Sequence, residues 1–156
     1  MPAATESGVS LYLVCAIRSP AQSAGNPMGR SDSSGQMEVS HSMENVIYNE
    51  LRMRGFSVNV GNLTVVENEK TGKTVKKQLE VDFICNKGSR KYYIQSAYML
   101  GTAEKMEQEI RPFLKINDSF KKIVITSDTP KPFYNDEGIL MMNVYDFLLN
   151  ANSLEL

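Results

Sequence analysis

Residues 79–98, LEVDFICNKGSRKYYIQSAY, constrain the fold more than any other stretch. Two segments rich in β-formers flank Asn86–Arg90, a run with turn chemistry in which Gly88 can take φ > 0. The pattern is that of a β-hairpin. Side chains alternate across a strand, so Leu79–Cys85 should place Val81, Phe83 and Cys85 on one face and Glu80, Asp82 and Ile84 on the other. By the same rule Lys91–Tyr98 should place Tyr93, Gln95 and Ala97 together. Antiparallel pairing then brings Asp82 near Gln95. An acid beside a polar side chain on the next strand suits a hard cation such as magnesium, which takes oxygen ligands and keeps several waters.

The segments around this hairpin complete a domain. Ser42–Arg54 reads as a helix with Ser40 or Ser42 as its cap, Gly55 just past its end, and an apolar stripe of Met43, Val46, Ile47 and Leu51. Glu50 falls inside that stripe, where a carboxylate is costly unless something satisfies it. Either the helix is rotated so that Glu50 reaches solvent, or Glu50 is aimed into a shared site. Phe56–Val66 alternates as a strand, Thr71-Gly72 reads as a hairpin tip, and Val75–Cys85 returns. Thr102 can cap a second helix reaching about Lys115, with Ala103, Met106 and Ile110 inward, Phe113 and Leu114 extending the apolar surface, and Pro112 bending it or starting a new turn. Lys121–Thr126 is a short buried strand, Ser127–Gly138 a polar loop, Ile139–Met142 a further strand and Val144–Leu149 a closing helix. This order specifies an α/β fold, a mixed β-sheet flanked by helices.

Residues 1–40 differ in kind. Ser, Gly, Pro and Ala make up half of them, too little apolar surface to offset ordering, so they are expected to be disordered or irregular. The α/β domain is then 41–156, with a boundary near Val39. The apolar run Val9–Ile17 is too short to span a membrane, and its upstream flank holds Glu6 and no Lys or Arg, the wrong flank for a secretory leader. Cys15 and Cys85 lack metal-binding or redox spacing and read as reduced thiols. A cytoplasmic protein without membrane contact is expected. Gly72-Lys73-Thr74 imitates the end of a phosphate-binding P-loop, but its first glycine would fall at Glu67, so no ATP binding is expected.

Glu50, then Glu80-Val81-Asp82, then Gln95-Ser96-Ala97, set on helix–strand–strand–strand–helix–strand, resembles the PD-(D/E)XK restriction-endonuclease-like fold. The longer strings Met43–Leu51, Glu80–Ile84, Tyr93–Gln95 and Ile123–Thr126 resemble the C-terminal domain of uncharacterised prokaryotic AAA+ ATPases. The resemblance covers about residues 41–156. It implies a site of Glu50, Asp82 and Gln95 that would act in DNA cleavage and hold magnesium. Two departures weaken that implication. The position of the family's lysine is Ala97, and residues 1–40 are not expected to form the family's ATPase module. Lys105 and Lys91 are the candidates for a migrated lysine. A degenerate domain that binds DNA or a partner protein is therefore expected, with an active magnesium-dependent DNA endonuclease or a pure protein-interaction domain as alternatives.

The net charge of −1 supplies no global field for nucleic acid, so any such contact needs a local patch. Basic residues gather at Lys70, Lys73, Lys76 and Lys77 and again at Lys87, Arg90 and Lys91, both at hairpin ends. The second group is the candidate phosphate-contacting surface. The same residues would also serve as charges that protect sheet edges.

Overall fold

A computed structural model describes residues 33–68 and 74–156. The expected disorder of the first 32 residues, the Val9–Ile17 run and the Thr71-Gly72 tip lie outside them. The elements are α1 (Ser33–Met53), β1 (Ser57–Asn68), β2 (Thr74–Lys87), β3 (Arg90–Ala97), α2 (Ala103–Leu114), β4 (Lys121–Thr126), β5 (Phe133–Tyr134), β6 (Leu140–Asn143), α3 (Val144–Leu149) and a 3-10 turn at Ser153–Glu155. The six strands form one mixed sheet in the order β1-β2-β3-β4-β6-β5. β1, β2 and β3 are an antiparallel meander, β3, β4 and β6 run parallel, and β5 is a short antiparallel edge on β6. The expected α/β fold of a mixed sheet flanked by helices is the observed one. No helix among the described residues is long and apolar enough to cross a membrane.

The central hairpin closes on two turn residues, Gly88 and Ser89, between the paired Lys87 and Arg90. Gly88 has φ +60°, as the first turn position of a type II′ hairpin requires. Its strands depart from strict alternation at one point. β1–β2 pairing steps from Asn59↔Ile84 to Gly61↔Val81, so β2 carries one extra residue around Asp82 and Phe83. This bulge moves Val81 to the opposite face from Phe83 and Cys85, correcting the expectation that the three share one side. Gly61 sits against the bulge. A Cβ there would lie 2.6 Å from Ile84 Cδ1 and 3.3 Å from Val81 Cβ, so any side chain at this position must push the Ile84 side chain aside.

Each face of the sheet has its own core. On one, Met43, Val46, Ile47 and Leu51 of α1 pack with Phe83, Cys85, Tyr92, Ile94, Ile123, Ile125 and Met142 of the sheet, joined by Phe147 and Leu148 of α3. On the other, Ile110 and Phe113 of α2 cover Val81, Tyr93, Ala97, Val124 and Met141. The stripe read from α1 is thus its buried face. On α2, Ile110 and Phe113 are buried and Met106 is partly buried as read, but Ala103 and Leu114 are exposed.

Two boundaries differ from expectation. α1 begins at Ser33, so the expected boundary near Val39 falls inside it. Ser42 caps nothing; its hydroxyl bonds back to Glu38 C=O at 2.9 Å within the helix. The C-terminal reading holds, with Gly55 at φ +83°. α2 starts as read, Thr102 accepting from Lys105 N–H at 3.3 Å, and α3 spans Val144–Leu149 with Asn143 as its cap.

Candidate functional site

The β2–β3 ladder runs from Lys87↔Arg90 to Phe83↔Ile94 and stops there, at the bulge. β3 continues alone against β4 as far as Ala97↔Thr126. Asp82 stands at this fork. Its Oδ2 accepts from Ser96 N–H at 2.8 Å, replacing the lost ladder bond, and its own N–H lies 3.5 Å from Gln95 Oε1. The expected neighbourhood of Asp82 and Gln95 on adjacent strands is therefore observed, with the bulge turning Asp82 toward β3.

Beyond the fork is a cavity of about 260 Å3. Ser96, Ala97, Tyr98 and Met99 form its floor, Met37, Ser40 and His41 of α1 one wall, and Lys105 and Glu109 of α2 the other. It opens at the carboxyl end of a parallel strand, where ligands of open α/β sheets bind. The floor is anchored. Tyr98 C=O accepts from Ser127 N–H at 3.0 Å, and Asp128 Oδ2 accepts from Leu100 N–H at 2.9 Å. Asn143 Nδ2 donates to Ser127 and Thr129 carbonyls from the next strand.

The site is short of positive charge. Burial pushes the Asp82 carboxyl up to about 6, the Ser96 N–H acts against that, and Glu44, Glu109 and Glu80 push it further up. Burial also raises Glu109, with Lys105 and the Gln95 amide pulling it back and Glu44 adding to the rise. Ser96 is only 6% exposed, and its hydroxyl finds no hydrogen-bond partner among the described residues.

Glu50 does not join this group, which corrects its expected place in the site. It is buried, and its Oε1 accepts from Arg54 Nε at 2.8 Å. Arg54 also donates to Phe147 C=O and to Ser153 Oγ, and its guanidinium lies 4.4 Å from the centre of the Phe147 ring. Glu50 thus ties α1 to α3 and the chain beyond it, satisfied where it is buried. Glu44 is the α1 carboxylate that Asp82 feels. Glu44, Ser96 and Glu109 were missed by sequence reading. Glu44 lies six residues before Glu50, on a helix of 3.6 residues per turn, and the one signal in the sequence was an acid bordering the apolar stripe.

These placements decide whether magnesium fits. One oxygen of Asp82 is committed to Ser96 and Glu50 is committed to Arg54. No three His, Cys, Asp or Glu side chains among the described residues come together as a metal-holding group. The set Glu50, Asp82 and Gln95 does not fit the ion. Ala97, at the lysine position, is buried under Ile110 and Phe113, while Lys105 lines the same cavity from α2.

The candidate nucleic-acid residues are divided. Lys87 Nζ donates to Arg54 C=O at 2.6 Å, and Arg90 pairs with Glu155 at 3.0 Å. Lys91 lies on the opposite face, over the rings of Tyr93 at 4.8 Å and Phe120 at 5.2 Å. They do not form one patch. In the other basic group, Lys77 pairs with Glu67 at 3.1 Å, and Lys70 and Lys73 lie outside the described residues.

No protein-family model and no solved structure matches the chain. It is similar to an uncharacterised protein of Haemophilus influenzae, 32% identical over 110 residues, covering 69% of this chain and 22% of that one. It is also similar to the uncharacterised protein MJ1544 of Methanocaldococcus jannaschii, 34% identical over 110 residues, covering 67% of this chain and 21% of that one. The chain spans about a fifth of the length of these relatives.

Proposed function

We propose that this chain is a restriction-endonuclease-like domain that has lost its cutting chemistry and serves as a partner-binding module in a protein of AAA+ ATPase type. The observation that carries this reading is the commitment of Glu50 to Arg54, which is bound in turn to Ser153 beyond α3. Phosphodiester hydrolysis of the magnesium type needs an ion held by converging oxygens and a positive group at the developing charge. Here the acid has gone to the α1–α3 contact and the lysine position ends in the methyl of Ala97. The fork, however, keeps a shaped and polar cavity. The relatives support a modular role, because in each the matched stretch is a small part of a much longer chain. A protein partner is favoured over DNA because Lys87, Arg90 and Lys91 are split between faces and engaged locally.

Incubation of the full chain with supercoiled plasmid and magnesium or manganese tests the reading. No nicking above a buffer control is expected. Ala97→Lys, the substitution best placed to restore a positive group, is expected to leave the plasmid intact as well, because Glu50 stays engaged. Nicking that disappears in Asp82→Ala would overturn the inactive reading and make Lys105 the first lysine to replace.

A further inference from the structure

We infer that the cavity at the end of β3 receives an arginine side chain of a partner protein, its guanidinium at Glu109 and Ser96 and its stem against Met37, Tyr98 and Met99. This rests on the reading of the domain as a partner-binding module and adds what the module binds. Two independent observations point to a cationic guest. The first is charge: Glu109 lines the cavity and Asp82 lies just behind its floor, its carboxylate on Ser96 N–H, with Glu44 close enough to act on both, while Lys105 and His41 are the basic side chains of the lining. Neither Asp82 nor Glu109 has a lysine, arginine or histidine within ion-pair distance among the described residues, whereas Glu50, Glu67 and Glu155 elsewhere each do. The second is the Ser96 hydroxyl, more than nine-tenths buried, on the cavity floor and without a partner among the described residues. A buried polar group in that condition is costly, and a donor arriving from outside would relieve it.

The shape of the guest follows from the lining. The groups left to satisfy are the Glu109 carboxylate, which has the Gln95 amide but no ion-pair partner among the described residues, and the Ser96 hydroxyl; both can accept, and guanidinium is an acceptor-free fork of five donors. The outer wall is apolar. Met37 is 63% exposed and Met99 44% exposed, so both are free to close over a methylene stem. A volume of about 260 Å3 admits one side chain and not a folded segment. Magnesium suits the site less well, since Asp82 has already given one oxygen to Ser96 N–H.

Agmatine, the decarboxylated arginine side chain, is the probe. It is titrated into the full 156-residue chain while backbone amide resonances are followed by NMR. Saturable shifts confined to Gln95–Met99 and the start of α2 are expected, in the millimolar range of so small a ligand. Glu109→Gln should weaken the apparent affinity about tenfold, and Ser96→Ala a few-fold, by loss of hydrogen bonds to a charged donor. Glu107→Gln, on the exposed side of the same helix, should leave it unchanged. Lys105→Ala should tighten binding, because it removes a competing cation. Unchanged amide spectra away from the site show that each variant folds.

Absence of saturable shifts at Gln95–Met99 overturns the inference and leaves the module reading intact, its partner docking elsewhere. Saturation of these amides by magnesium instead, abolished in Asp82→Asn, overturns both. Shifts with inorganic phosphate that vanish in Lys105→Ala would also overturn it, since the guest would then be an anion.

Discussion

Asp82→Asn should make the protein more stable at neutral pH, although Asp82 sits at the centre of the fork. The carboxyl rises from 3.8 to about 6 in the folded chain. A raised acid binds its proton more tightly folded than unfolded, so its stabilising contribution is complete below pH 3.8 and is lost as pH climbs through 6. At pH 7.5 the ionised form costs at most about 3 kcal/mol, and solvent reaching the partly exposed side chain reduces this to about 1.5 kcal/mol. Asparagine keeps an oxygen for Ser96 N–H and carries no charge to repel Glu44, Glu109 or Glu80. Thermal unfolding followed by circular dichroism at pH 7.5 should therefore show a midpoint higher by about 3–6 °C in the variant. The difference between variant and parent should shrink to near zero by about pH 3, below the unfolded value, which separates Asp82 from groups that titrate higher. A variant equally destabilised at both pH values would refute the reasoning, for it would mean that the carboxylate charge itself holds β2 to β3.

Two further predictions concern the frame. Arg54→Ala should cost about 3 kcal/mol in urea unfolding, because it strands the buried Glu50 and removes a donor from Phe147 C=O and Ser153 Oγ; Glu50→Gln, which leaves Arg54 an amide oxygen and its Phe147 and Ser153 acceptors, should cost clearly less, and equal losses would contradict the assigned pairing. Gly61→Ala should cost about 1–3 kcal/mol through the clash with Ile84, and Ile84→Val in the same chain should recover part of it, measured as a double-mutant cycle.

Most of the frame was legible because periodicity reports burial. The stripe of α1, the turn around Gly88, the Thr102 cap and the whole of α3 follow from local rules that tertiary structure did not contradict. What the sequence concealed has definite causes. Strict alternation assumes an unbroken ladder, and the extra residue in β2 broke it at Asp82, the position that mattered most. Glu50 drew attention as a polar residue in an apolar stripe, but its partner Arg54 is four residues away on the same helix and equally buried. An acid aimed at a site and an acid satisfied by the next turn look alike until α3 is placed beside them. Glu109 and Ser96 gave no local signal at all, since their meeting depends on how α2 packs across β3.

The sheet order also bears on how the molecule assembles. β1, β2 and β3 follow one another through short reversals, so their pairings close small loops at low entropic cost. β3 and β4 are parallel neighbours separated by the whole crossover of residues 98–120, and that union must wait until α2 has formed and folded over. Every wall of the cavity beyond β3 itself belongs to a helix or to the crossover. A chain leaving the ribosome would thus own a nearly finished meander well before it owned a pocket, and any guest of that pocket meets only the fully closed fold.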